Sequence, residues 1–159
     1  MASGLALRLL GRDDELDDLV QDSFVAALKG LDGLKEPQAF AGWLASIVVR
    51  TAHKRLRRRR LARKLGLYRP EALDVDALVS HTAPPDAVIE LRALYSLIED
   101  LPTRVRIPLV LRRVEGHSLD EIASLTGASL ATVKRCVAEG EDRLAAAMQY
   151  ERPTVRMKP

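Results

Sequence analysis

One cysteine, Cys136, stands in the 159 residues. It leaves no partner for an internal disulfide and excludes a cysteine-built metal cluster. The three histidines are scattered, so no metal site and no cofactor is expected. Aromatic residues make up only 4% of the chain. A core must therefore come from Leu, Val, Ala and Ile, and the Ala and Leu richness favours helices. No apolar run approaches the roughly 18 residues of a membrane span, and no signal-peptide pattern is present. The chain reads as a soluble cytoplasmic protein. Missing too are a Ser/His/Asp arrangement and a phosphate-binding glycine loop, so no enzyme is expected.

What is present is segregated charge. The net charge of +3 conceals three blocks. Residues 1–35 carry seven acids against four bases, Arg50–Lys64 nine bases and no acid, and residues 65–100 seven acids against two bases. Such blocks imply separate surfaces for separate partners.

Hydrophobic periodicity predicts helices throughout. Residues 2–10 can form a short leading helix. Asp13 or Asp14 can open the next, with the stripe Leu16, Leu19/Val20, Phe24, Ala27/Leu28 and Leu31. After a turn-rich loop, Leu31–Pro37, a long helix runs from about Gln38 into the basic block. Its apolar side is Phe40, Trp43/Leu44, Ile47/Val48, Ala52 and Leu56. Periodicity fails from 65 to 87, where prolines break helices; this stretch is an acidic interdomain linker or a compact hinge. Patterning resumes at Ala87–Asp100 and Thr103–Val114, the latter kinked by Pro108 or holding it within its first turns. The tail, 149–159, is expected to be disordered.

Ser118–Leu144 places two short amphipathic helices about Thr126-Gly127-Ala128-Ser129. A left-handed Gly ends the first and a Ser caps the second. This is the layout of a helix-turn-helix, and a plain helical hairpin shares it. Gly140 is expected to weaken the second helix by about 1 kcal/mol relative to Ala. Cys136 reads as a small structural or surface residue. The run His53–Lys64 suits a polyanion through phosphate contacts, or is a solvated helix end helped by the dipole. The acids Asp13, Asp14, Glu15, Asp17, Asp18 and Asp22 suit a helix N-terminus or a basic protein partner.

Together the segments resemble a family. The run DELDDLVQDSFVAALKGLDGLKEPQAFAGWLASIVVRTAHKRLRRRR is similar to region two of extracytoplasmic-function (ECF) RNA polymerase sigma factors. The run LPTRVRIPLVLRRVEGHSLDEIASLTGASLATVK is similar to their region four. The resemblance implies an all-α fold of two small helical domains, 1–64 and 88–148, joined by an extended linker, 65–87. It implies a bacterial factor that directs promoter recognition, −10 strand opening and transcription initiation. Asp17, Asp18, Leu19, Gln21 and Asp22 match the surface that docks on polymerase clamp helices. Leu34, Lys35, Glu36 and Gln38 correspond to the loop that captures a flipped −10 base, with Trp43 supporting it and Arg50, Lys54, Arg55, Arg57 and Arg58 holding the strand. Ser129, Thr132, Lys134 and Arg135 match positions facing the −35 element. Implied partners are core RNA polymerase (clamp helices and flap), promoter DNA and an anti-sigma factor, with no membrane insertion.

The chain departs from the family at several points. The leading helix is short. Arg50 and Lys54 stand where Asn and Asp are common, and Cys136, Glu139 and Glu141 where basic residues are usual. Acids facing phosphate repel it, so the recognition helix is expected to grip −35 DNA weakly. Two rivals therefore stay open. One is a sigma-like adaptor or decoy that binds polymerase or an anti-sigma factor but reads −35 DNA poorly. The other is a free-standing helix-turn-helix regulator.

Overall fold

The computed structural model describes residues 2–10, 15–67 and 84–150. Every regular element among them is helical: α1 (Ala2–Leu10), α2 (Leu16–Gly30), α3 (Phe40–Lys64), α4 (Pro85–Asp100), α5 (Thr103–Arg113), α6 (Leu119–Thr126) and α7 (Leu130–Tyr150). Two single 3-10 turns, Leu31–Gly33 and Pro37–Ala39, fill the loop between α2 and α3. The Asp13/Asp14 opening, most of the expected linker and nearly all of the expected tail lie outside the described residues. Within the described part, α2 opens at Leu16 behind Glu15, which makes no capping hydrogen bond through its side chain.

Helix α3 is the axis of the molecule. Leu44, Ala45, Ile47, Val48, Val49, Ala52 and Leu56 are all buried, and they occupy more than one side of the helix. That breadth follows from its neighbours, because α1 and α2 pack on it from one direction and α5 and α6 from another. Most buried apolar side chains from Ala2 to Val137 accordingly form one core, with Leu101, Val105 and Leu109 in a smaller second cluster and Leu144 packed against both. An ion pair between Arg8 of α1 and Glu115, just past α5, ties the two halves at the surface.

The expected stripe of α2 needs correction. Its buried side chains are Leu19, Ser23 and Ala27, whereas Phe24 and Leu28 are 46% and 73% exposed. Small residues at 23 and 27 let α2 approach its neighbours closely. Ser23 tolerates burial because its hydroxyl donates to the Leu19 carbonyl oxygen at 2.8 Å. Phe40, expected on the buried side of α3, is also exposed; it opens the helix, beyond the core.

Helix α5 is nearly all buried and carries Pro108 in its interior. α7 lies along it with Gly140 at the crossing. A Cβ built on Gly140 would come within 3.0 Å of Leu109 Cδ2 and 3.1 Å of Val105 Cγ1. The glycine thus serves a close helix approach, beyond the flexibility its propensity suggests.

Candidate functional site

The helix-turn-helix is closed by caps at each joint. Ser118 accepts from the Glu121 amide at 3.2 Å, and the Glu121 carboxylate accepts from the Ser118 amide at 2.7 Å. This reciprocal capping box holds the Glu121 carboxyl below its usual range, through the Ser118 backbone and then side-chain hydrogen bonds. Gly127 ends α6 at φ 70°, a left-handed conformation open to Gly at no steric cost. Ser129 then caps α7, accepting from the Thr132 amide at 3.3 Å and sharing a 2.9 Å hydroxyl contact with Thr132 Oγ1. Two of the four expected −35 residues therefore spend hydrogen bonds on building the helix start. Lys134 and Arg135 are exposed.

Glu139 and Glu141 do not project as expected. Glu139 pairs with Arg104 of α5 at 3.3 Å and with Arg143 one turn on at 2.9 Å. Glu141 pairs with Arg113 of α5 at 2.6 Å. They clasp α7 to α5, so the outward charge of the helix start is basic. Cys136 is buried, so it is a packing residue and not a surface one.

On the other half of the molecule, Lys35, Glu36 and Gln38 are exposed along the stretch between α2 and α3, and Leu34 is half-buried. Trp43 lies in the first turn of α3: its ring is 5.9 Å from that of Phe40 and tilted against it, and a Cβ on Gly30 would sit 3.3 Å from its Cζ2. Gly30 leaves room for the indole, a link that no local pattern signals. A groove of about 460 Å³ between α2 and α3 brings together Arg50, Lys54, Arg55 and Arg58, with Asp22 opposite. Arg57 is exposed but outside it.

Arg55 is pinned. It reaches Asp22 at 2.9 Å, Glu15 at 3.5 Å and Asp18 at 3.9 Å, and it donates to the Glu15 carbonyl at 3.1 Å. It joins α3 to α2 before it can hold anything else. Of the expected docking residues, Asp17, Asp18, Gln21 and Asp22 are exposed, but Leu19 has no exposed surface and belongs to the core. Asp17, Gln21, Phe24 and Leu28 follow one another at four, three and four residues, which places them on one outward stripe of α2. Acids and exposed apolar groups share that face.

A second cavity, about 290 Å³, lies between α3 and the helix-turn-helix. Arg50 and His53 line it from α3, and Thr132 and Arg135 from α7. Desolvation at this wall, helped by the Arg57 charge, lowers the His53 pKa below its ordinary value.

Comparison with known proteins agrees with this two-part organisation. The sigma-70 region 2 model matches residues 1–62, and the sigma-70 region 4 model matches residues 91–144. The chain is 31% identical over 146 residues to the ECF RNA polymerase sigma factor SigE of Mycolicibacterium smegmatis, covering 88% of this chain and 54% of that protein. It is 31% identical over 134 residues to the ECF RNA polymerase sigma-E factor of Escherichia coli, covering 76% and 66%. It is 30% identical over 130 residues to the RNA polymerase sigma factor SigV of Bacillus subtilis, covering 82% and 74%. The chain thus spans between about half and three-quarters of the length of these relatives. Among solved structures, the sigma factor RpoE in complex with the anti-sigma factor NepR from Bartonella quintana aligns with a TM-score of 0.70 at 20% identity, covering 95% of this chain and 91% of that one. CnrH in complex with the cytosolic domain of CnrY aligns at 0.62 and 25% identity, covering 94% and 81%. With both regions matched in order and a helical core joining them, this chain belongs to the ECF sigma factors, a non-enzymatic family built from sigma-70 region 2 and region 4.

Proposed function

We propose that this chain is the promoter-selecting subunit of a bacterial RNA polymerase, acting in the cytoplasm. It binds core polymerase through α2, opens and holds the −10 strand on the α2–α3 side, and reads −35 DNA with the start of α7. The working units are 1–64 and 88–148, with 65–87 between them. Asp17, Asp18, Gln21 and Asp22 form the polymerase surface, with Leu19 behind it as core. Arg50, Lys54, Arg57 and Arg58 contact the strand backbone, and Arg55 positions α2 on α3. Leu34–Gln38 over Trp43 takes the flipped base. An anti-sigma factor is a further partner, by analogy with the relative described above.

One observation carries the reading: the outward stripe Asp17, Gln21, Phe24, Leu28. Aromatic and aliphatic side chains left in water beside acids mark a protein partner; DNA would be repelled by those acids. The basic groove and helix-turn-helix lie on other faces. No helix among the described residues is long and apolar enough to cross a membrane.

The arrangement also implies two states. Arg50, Thr132 and Arg135 line one cavity, yet −10 and −35 elements lie about 25 base pairs, or about 85 Å of duplex, apart. The compact form cannot serve both, so the two regions part on the polymerase.

In vitro transcription with purified core polymerase tests the reading. Wild type should yield discrete start sites, and Asp17→Arg with Gln21→Arg should abolish both core binding and transcripts. These positions are chosen because Asp18 and Asp22 also face Arg55. Core binding without any transcript would instead identify an adaptor, and no core binding would sink the proposal.

A further inference from the structure

Arg106 is the anomaly of the molecule. It lies within the apolar run of α5 and is 4% exposed, and its Nε and Nη2 have no hydrogen-bond partner. Burial lowers its pKa to about 10, against the pull of Glu99. That is still well above neutrality, so a charged guanidinium sits in the interior with open donors. Groups of this kind are costly unless something pairs with them.

The guanidinium borders a cavity of about 270 Å³ between the last turns of α3 and the α4–α5 junction. Arg59, Arg60, Arg63 and Lys64 line it with Arg106, against the carboxylates of Glu99 and Asp100. One carboxylate is already engaged, since Asp100 accepts from Arg63 at 3.2 Å. An excess of positive charge remains around unfilled donors. This face of α3 is separate from the strand groove, whose cations are Lys29, Arg50, Lys54, Arg55 and Arg58.

We infer that this cavity is a binding site for a small oligophosphate, held by Arg106 at its floor and by Arg60, Arg63 and Lys64 at its rim. A planar guanidinium donates two parallel hydrogen bonds to phosphoryl oxygens, and several cations around it match a multivalent anion better than a single carboxylate. A volume of about 270 Å³ suits a compact anion rather than a nucleic-acid strand. The walls come from region 2 on one side and region 4 on the other, so a bound anion ties the two regions together and favours the compact form.

The test is calorimetric titration of the full chain with inorganic pyrophosphate in chloride buffer, with a short single-stranded oligonucleotide titrated in parallel. Saturable one-site pyrophosphate binding is expected. Arg60→Gln with Lys64→Gln, at the rim, should weaken it by about tenfold or more, since a charge-assisted hydrogen bond contributes about that factor. Arg106→Met should abolish it; its circular dichroism spectrum reports whether the variant folds, and the rim variant keeps the test decisive if it does not. Lys29→Gln, in the strand groove away from this cavity, should leave pyrophosphate binding unchanged. Non-saturable binding overturns the assignment, as does equal weakening by Lys29→Gln, which would mean general screening. Oligonucleotide binding through Arg60 and Lys64 without pyrophosphate binding also overturns it, giving the site to a DNA backbone.

Discussion

Gly140→Ala sets two known effects against each other at one atom. Helix propensity alone makes the substitution favourable by about 1 kcal/mol. The added methyl, however, would meet Leu109 Cδ2 at 3.0 Å, Val105 Cγ1 at 3.1 Å and Leu109 Cδ1 at 3.3 Å. Neither neighbour has room to retreat, because Val105 is fully buried and Leu109 is 1% exposed. Overpacking of a tight core costs about 1–3 kcal/mol. The balance is a net loss of up to about 2 kcal/mol, centred near 1, or a melting-temperature drop of about 2–4 °C for a chain of this size. Urea unfolding of the two proteins reads the difference directly. In a double-mutant cycle with Leu109→Ala, whose own cavity costs about 2–5 kcal/mol, the two losses should be less than additive, since the truncation removes the methyls that clash. A variant more stable than wild type by the propensity value would refute the reasoning, showing that α7 can lift from α5 without cost.

Three further substitutions separate local from tertiary causes. Ser118→Ala removes one arm of the capping box and should lower the melting temperature by about 2–4 °C, while Ser118→Asp, which can still cap, should restore most of it. Glu139→Arg with Glu141→Arg should cost about 1 kcal/mol or less per lost ion pair after solvent screening, because Arg104, Arg113 and Arg143 would then face cations; a large gain in −35 DNA affinity with unchanged stability would mean those acids face phosphate after all. For His53 the folded pKa lies below the unfolded value of about 6.5, so below that pH the unfolded chain binds more protons. Stability is then full above about pH 6.5 and declines as pH falls through the window beneath it; His53→Gln should flatten that part of the profile in thermal melts, and an unaltered slope would remove His53 as its source.

The elements legible in the sequence are those whose cause is local. The helix-turn-helix could be read because Gly127 and Ser129 terminate and cap within a few residues, and α3 because its apolar period persists for five turns. The capping box at Ser118 has an equally local cause, Ser118 and Glu121 three residues apart, yet it was not among the expectations drawn from the sequence. What could not be read depends on contacts across the chain. Glu139 and Glu141 looked repulsive toward DNA until α5 supplied Arg104 and Arg113. Arg55 looked like one more strand-binding cation until α2 supplied Asp22. Arg106 gave no warning, since an arginine in a helix is ordinarily a surface residue.

The misreading of α2 has a physical source that bears on function. Leu19, Ser23 and Ala27 recur every four residues, and so do Gln21 with Asp17 and Leu28 with Phe24 on the opposite side. A period alone cannot say which stripe faces inward when both contain apolar groups. The larger side chains suggest Phe24 and Leu28, but close helix packing selects the small ones, and the Ser23 hydroxyl removes the penalty by bonding back to Leu19. The large residues are thereby released to the surface, next to Asp17 and Gln21. An interface needs just that combination: apolar area that gains by leaving water, and charge that rejects wrong partners. The residues that fail as core are thus the ones that make α2 a docking helix, and the choice between the two stripes is made by the packing of α1 and α3 behind it.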